Sequence, residues 1–89
     1  MNRTLILADE ISLPILSGSA TSFSSATVVR LVNTDTNAHV VTVVETQGGS
    51  GIGSFTLPAG QVEQLEKNSS YCVYADSATV KGAKVGFTN

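Results

Sequence analysis

Tryptophan is missing from this chain, and cysteine and histidine occur once each, as Cys72 and His39. A single cysteine rules out an intrachain disulfide, and Cys72, set in the apolar run Tyr71-Cys-Val-Tyr-Ala75, reads as a small buried hydrophobe. One cysteine and one histidine cannot supply the three or four soft ligands of a zinc site. Charge is scarce as well. Charged residues make up 13% of the 89 positions, against about 25% in an average soluble protein. The polar surface must then be built from Ser, Thr, Asn and Gln, and its behaviour should depend little on salt. The basic residues Arg3, Arg30, Lys67, Lys81 and Lys84 form no run, and the net charge is −2. Nucleic-acid binding needs clustered cations, so no nucleic-acid partner is expected. No apolar stretch approaches the ~18 residues that span a bilayer. The run Leu5–Ala8 is halted by Asp9 and Glu10, so neither a signal peptide nor a membrane partner is expected.

What is present is β-branched residues and turn formers. Arg3–Ala8 can extend, and Ile11, Leu13 and Ile15 alternate with other residues up to Pro14, which belongs on an edge because it has no N–H. Ser17–Ser25 reads SGSATSFSS, a linker-like run. Residues 1–25 are therefore expected to be an N-terminal arm and Ser-rich tether, and residues 26–89 the folded domain. Thr27–Asn33 and His39–Gln47 read as strands, the second with six β-branched residues in nine positions. Asn33–Asn37 is a turn. Gly48–Gly53, with four glycines, reads as a loop carrying the exposed Ile52. Further strands are expected at Ser54–Leu57, Tyr71–Ala75 and Ala83–Thr88, with a tight reversal at Pro58-Ala59-Gly60. Gln61–Glu66 suits a strand, although Val62 and Leu65 share a spacing that a helix would also give. Short strands separated by turns predict an all-β fold: a small antiparallel β-sandwich, Ig-like or jelly-roll-like, of about seven strands with an extended N-terminal arm.

No residue pattern spells out a reaction. His39 opens a strand after a turn, where a solvated or interfacial imidazole is the ordinary outcome, and no partner converges on it in sequence. Asn33-x-Asp35-x-Asn37 starts like a calcium loop, but Ala38 stands where glycine is needed and Val44 where the bidentate glutamate belongs. The glycine loop is followed by a strand and not by the helix that a phosphate cradle needs. Glu63 and Glu66 point to opposite faces of a strand, as do Tyr71 and Tyr74, and Lys67 reads as part of a solvated edge. The expectation is no enzyme, no metal and no cofactor.

The informative feature is a second apolar face. Alternation assigns Val29, Leu31, Val41 and Val43 to the core. It leaves Val28, Arg30 and Val32 on the other side of one strand, and Val40, Thr42 and Val44 on the other side of the next. If those strands pair, four valines share one outer face. Burying a valine is worth about 1.5 kcal/mol or more, so this face needs a cover. The arm, through Leu5, Leu7, Ile11, Leu13 and Ile15, is one candidate; a second copy or a larger partner are the others.

The runs VVRLVNTDTNAHVVTVVE, GSFTLPAGQVEQLEK and YCVYADSATVKGAKVGFTN resemble small virion structural proteins of marine tailed phages, cyanophages especially. The likeness covers about two thirds of the chain, Val28–Asn89, and is most specific at Leu-Pro-Ala-Gly and Val-Gly-Phe-Thr. It implies a non-enzymatic capsid decoration or cement protein, displayed as a homo-oligomer on the virion surface after synthesis in the host cytoplasm, with a major capsid protein or other virion protein as partner. It carries over no catalytic residue. The alternative is a tail- or fibre-associated adhesive module recognising a surface glycan or protein, through the glycine loop and Tyr71 or Tyr74.

Overall fold

The computed structural model describes residues 3–88, and the side chains of residues 4–86. Asn89, and the side chains of Phe87 and Thr88 in the Val-Gly-Phe-Thr ending, lie outside that description. Among the described residues there are eight strands: β1 (Arg3–Ile6), β2 (Ile11–Ser12), β3 (Val28–Asn33), β4 (His39–Val44), β5 (Gly51–Leu57), β6 (Val62–Glu66), β7 (Cys72–Ala75) and β8 (Val80–Thr88). In one sheet β1 and β2 lie end to end along β8, followed by β3 and β6; the other sheet runs β5-β4-β7. Every pairing is antiparallel. Beyond β7 the chain adds one more contact, a bridge from Thr21 to Val73, and the Ala75 N–H donates to the Pro14 carbonyl at 3.0 Å. With that bridge counted, β1/β2-β8-β3-β6 faces Thr21-β7-β4-β5, the strand order of a jelly roll with one strand reduced to a contact. The expected all-β sandwich is thus present, and of the two architectures named for it the strand order selects the jelly roll.

The core contains the four residues that alternation placed there, Val29, Leu31, Val41 and Val43, joined by Leu13, Phe23, Leu57, Val73 and Val80 among others. The pairing of β3 with β4 is where expectation fails. The two strands lie in different sheets: β3 pairs with β6 and β8, and β4 with β5 and β7. The turn between them is an arch from one sheet to the other, built around Asn33. Its amide nitrogen donates to the carbonyls of Asn37 and Leu57, both at 2.9 Å, and its Oδ1 accepts from the Asp35 N–H at 3.0 Å. A polar side chain with 0% exposure survives there because its partners are complete. Alternation along a strand fixes which residues share a face; it does not say which strand lies alongside.

Residues 3–25 belong to the sandwich, and it is the tether that differs from expectation. β1 and β2 pair with the chain's own β8, and Leu13, Ala20 and Phe23 are buried. The Ser-rich tether is ordered: a 3-10 turn at Ser17–Ser19 precedes a left-handed turn in which Phe23, Ser24 and Ser25 have φ of 55°, 56° and 59°. Each such residue costs roughly 1–2 kcal/mol. The cost is offset by the Phe23 ring, which packs over Gly82, where an added Cβ would stand 2.8 Å from Phe23 Cζ and from Leu31 Cδ2. Lys67 offsets it too. Instead of forming a solvated edge it is 8% exposed, and its Nζ donates to the carbonyls of Ala26 (2.7 Å), Ser22 (3.0 Å) and Asn68 (3.4 Å). Serine-rich composition suggests a tether, but backbone carbonyls gathered round one ammonium order it.

Several boundaries move: β4 ends at Val44 and not at Gln47, and β8 begins at Val80 and not at Ala83. β5 begins at Gly51, inside the expected glycine loop, with a bulge where Val43 and Val44 oppose Gly53 and Gly51. The segment that a helix could also have claimed settles as strand β6, Val62–Glu66. The Pro58-Ala59-Gly60 reversal is as expected, with Gly60 at φ 71° and the Gln61 N–H returning to the Pro58 carbonyl.

Candidate functional site

Separating β3 from β4 divides the four outer valines among three surroundings. Val28, Arg30 and Val32 stand half-buried on the outer face of the larger sheet, where Arg30 Nη1 lies 3.6 Å from Glu10 Oε2. Val40 and Thr42 lie on the outer face of the smaller sheet, Val40 exposed and Thr42 half-buried. Val44 is buried in a second small cluster with Ala20 and Cys72, with Tyr74 packed against it. No common valine face exists, and the chain's own tether covers the one valine that is fully hidden.

The exposed apolar surface is on the arm. Among the described residues, six of the nine exposed large hydrophobic side chains fall between positions 5 and 16: Leu5, Ile6, Leu7, Ile11, Ile15 and Leu16, at 44–66% exposure. Sequence reasoning named Leu5, Leu7, Ile11 and Ile15 as cover for a sheet face, but the structure leaves them uncovered; only Leu13 is buried. It missed Ile6 and Leu16. The available signal was that Leu5-Ile6-Leu7 places apolar residues on both sides of one strand. From Ile6 to Ile11 the arm spends five steps while β8 spends three, from Val85 to Gly82. The resulting bulge lifts the arm off a flat edge. Ile52 is also exposed, on β5.

A second cluster went unread in the sequence. His39 sits between two carboxylates: Nε2 is 2.7 Å from Asp35 Oδ2 and Nδ1 is 2.9 Å from Asp76 Oδ1. Both ring nitrogens must donate, so the ring is an imidazolium. The hydrogen bond to Asp35 raises the His39 pKa above its usual value, and Asp76 reinforces the shift against the opposing effect of desolvation. Asp35 is held below the ordinary carboxylate value by His39 and by the Thr36 N–H. The three residues join the β3–β4 arch to the segment after β7. Their geometry is linear, with the two carboxylates at opposite ends of one ring, so it clamps two loops and presents no chelating pocket. Among the described residues no group of His, Cys, Asp and Glu is arranged to hold a metal ion.

At one end of the sandwich a shallow bowl of about 770 Å³ is lined by hydroxyl and amide side chains, including Ser22, Ser25, Thr46, Gln47 and Ser69. Tyr71 and Tyr74 are half-buried, packed against the main core and the second cluster respectively, and neither lines the bowl. Among the described residues no helix is long and apolar enough to cross a membrane. No protein-family model matches the chain, and neither a curated protein nor a solved structure does.

Proposed function

We propose that the chain is a non-enzymatic structural protein of a virus particle, a decoration or cement protein that docks on a capsid through its N-terminal arm and acts as a homo-oligomer. The observation that carries this reading is the concentration of exposed apolar side chains on the arm. Six large apolar side chains at 44–66% exposure fall within one short segment of chain, and exposed apolar surface gathered in one place marks protein contacts. The low charge and the jelly-roll order support it more weakly, since that fold is shared by capsid proteins and by lectins and cupins, and fold alone does not assign function. The partner is then a major capsid protein or another virion protein, and the place of action the particle surface. The adhesive alternative has the hydroxyl-lined bowl in its favour but lacks an aromatic stacking platform there.

Mass spectrometry of virions purified from the cells that make this chain tests the proposal. The chain should be present in copy numbers comparable to the capsid protein. A triple change of Leu5, Leu7 and Ile11 to Ser should remove it from particles while leaving its circular dichroism unchanged. A chain absent from virions would overturn the reading.

A further inference from the structure

The sandwich has four lateral strand edges, and they are treated differently. The outer edge of β7 is closed by the chain itself, through Thr21 and Pro14. Among the described residues the outer edges of β1, β5 and β6 are open. An open edge presents unpaired N–H and C=O groups to any other strand, and proteins guard such edges with charge, proline or brevity. β6 carries Glu63 and Glu66 within five residues, and the four-residue β1 begins at Arg3. β5 has neither charge nor proline nor brevity, and its one irregularity is the bulge at its first residues, Gly51–Gly53. It is seven residues, Gly-Ile-Gly-Ser-Phe-Thr-Leu, without a charge or a proline, or about 24 Å of strand.

We infer that the open edge of β5 is the self-association surface of this protein, pairing antiparallel with β5 of a second copy across a two-fold axis. The inference rests on the reading of the chain as a self-associating virion protein and specifies where that association occurs. Three observations favour a second copy as the occupant. A two-fold axis brings a strand against itself; with its midpoint Gln64 on the axis, β6 would bring the Glu63 side chains of the two copies together as diagonal neighbours on one face, whereas β5 brings no charged side chains together. The strand is complementary about its midpoint. With Ser54 on the axis, Phe55 falls opposite Gly53 of the second copy. Both residues lie on the inward face, since Phe55 pairs with Val41 and Gly53 with Val43, and an aromatic side chain over a strand glycine is a stabilising cross-strand pair. Finally, a groove of about 240 Å³ lined by Ile52, Phe55, Leu65 and Tyr71 opens beside this edge, so pairing also covers apolar surface. The product is a continuous six-stranded sheet, β7-β4-β5-β5-β4-β7, whose outer ends are closed by each copy's own Thr21.

Ser54 is exposed on the outward side of β5, opposite Thr42, so a charge there leaves the core alone. Light scattering on a sizing column should give twice the 9.2 kDa chain mass, falling on dilution. Ser54→Lys and Ser54→Glu should each run as folded monomers, and an equimolar mixture of the two should recover the dimer. A monomeric wild-type protein, an undiminished Ser54→Lys dimer, or a mixture that stays monomeric would each overturn the inference. Virion analysis separates this from the functional reading. A monomer found in virions leaves the virion role standing without this interface, and a β5 dimer absent from virions leaves the interface without that role.

Discussion

Asn33 is the residue on which the arch between the sheets depends, and replacing it with alanine gives a number to test. Three side-chain hydrogen bonds are lost, at about 1 kcal/mol each, and the Leu57 carbonyl is stranded inside the sandwich at a cost of about 1–3 kcal/mol. The expected loss is about 4–6 kcal/mol, a large share of the roughly 5–15 kcal/mol that holds a domain together. In a domain of this size that corresponds to a melting temperature lower by about 20 °C, read by circular dichroism. Asn33→Asp separates the hydrogen-bond argument from simple loss of volume. Its carboxylate would face the two carbonyls that the amide now serves, so its folded-state pKa would be raised. Its stability would then be greatest below the unfolded value of about 3.9 and would fall as pH rises through the folded value. Asn33→Asp should therefore melt below Asn33→Ala at neutral pH, with the gap closing on acidification. A loss under about 1 kcal/mol for Asn33→Ala would refute the reasoning, because it would mean that water or a local shift satisfies the arch equally well.

Two other predictions concern the clamp and the core. His39 has a raised pKa in the folded protein, so its contribution to stability is complete below the ordinary imidazole value and is lost as pH rises through the raised one. At the acid end, the contribution of Asp35, whose pKa is lowered, is present above 3.8 and is lost as pH falls through its folded value. The melting-temperature difference between wild type and His39→Gln should accordingly form a plateau across mildly acidic pH and shrink on both sides; a His39 that titrates at or below its ordinary value by NMR would contradict this. Gly82→Ala should cost about 1–3 kcal/mol, because its methyl group would meet the buried Phe23 and Leu31 at 2.8 Å. Gly86→Ala, whose nearest neighbour is Leu7 Cδ1 at 3.5 Å, should be close to neutral, and equal melting temperatures for the two variants would show that Phe23 does not pack over the glycine as described.

The local patterns proved readable where they depended on neighbours in the chain. β-branched runs became β3 and β4, the proline–glycine reversal formed, and alternation placed Val29, Leu31, Val41 and Val43 in the core. The candidate surface was legible in part: Leu5, Leu7, Ile11 and Ile15 are four of the six exposed apolar residues of the arm, but as a free surface and not as a lid. The polar anchors that stayed hidden join residues far apart in sequence. Lys67 reaches Ser22 and Ala26, Asn33 reaches Leu57, and His39 reaches Asp76. Each is a polar side chain in a segment whose composition suggests solvent, and only the partner brought from elsewhere makes its burial affordable.

The sequence by itself determined an all-β chain, the inward face of its two central strands, and the scarcity of the residue types that most catalytic and metal sites need. Tertiary structure decided that those strands belong to opposite sheets, so that Val28, Val32, Val40 and Val44 never form one surface, and that the exposed apolar residues gather on the arm. The physical reason is the same in both cases. The period of a strand is written in its own side chains, whereas its neighbours are chosen by hydrogen bonds and packing between segments tens of residues apart.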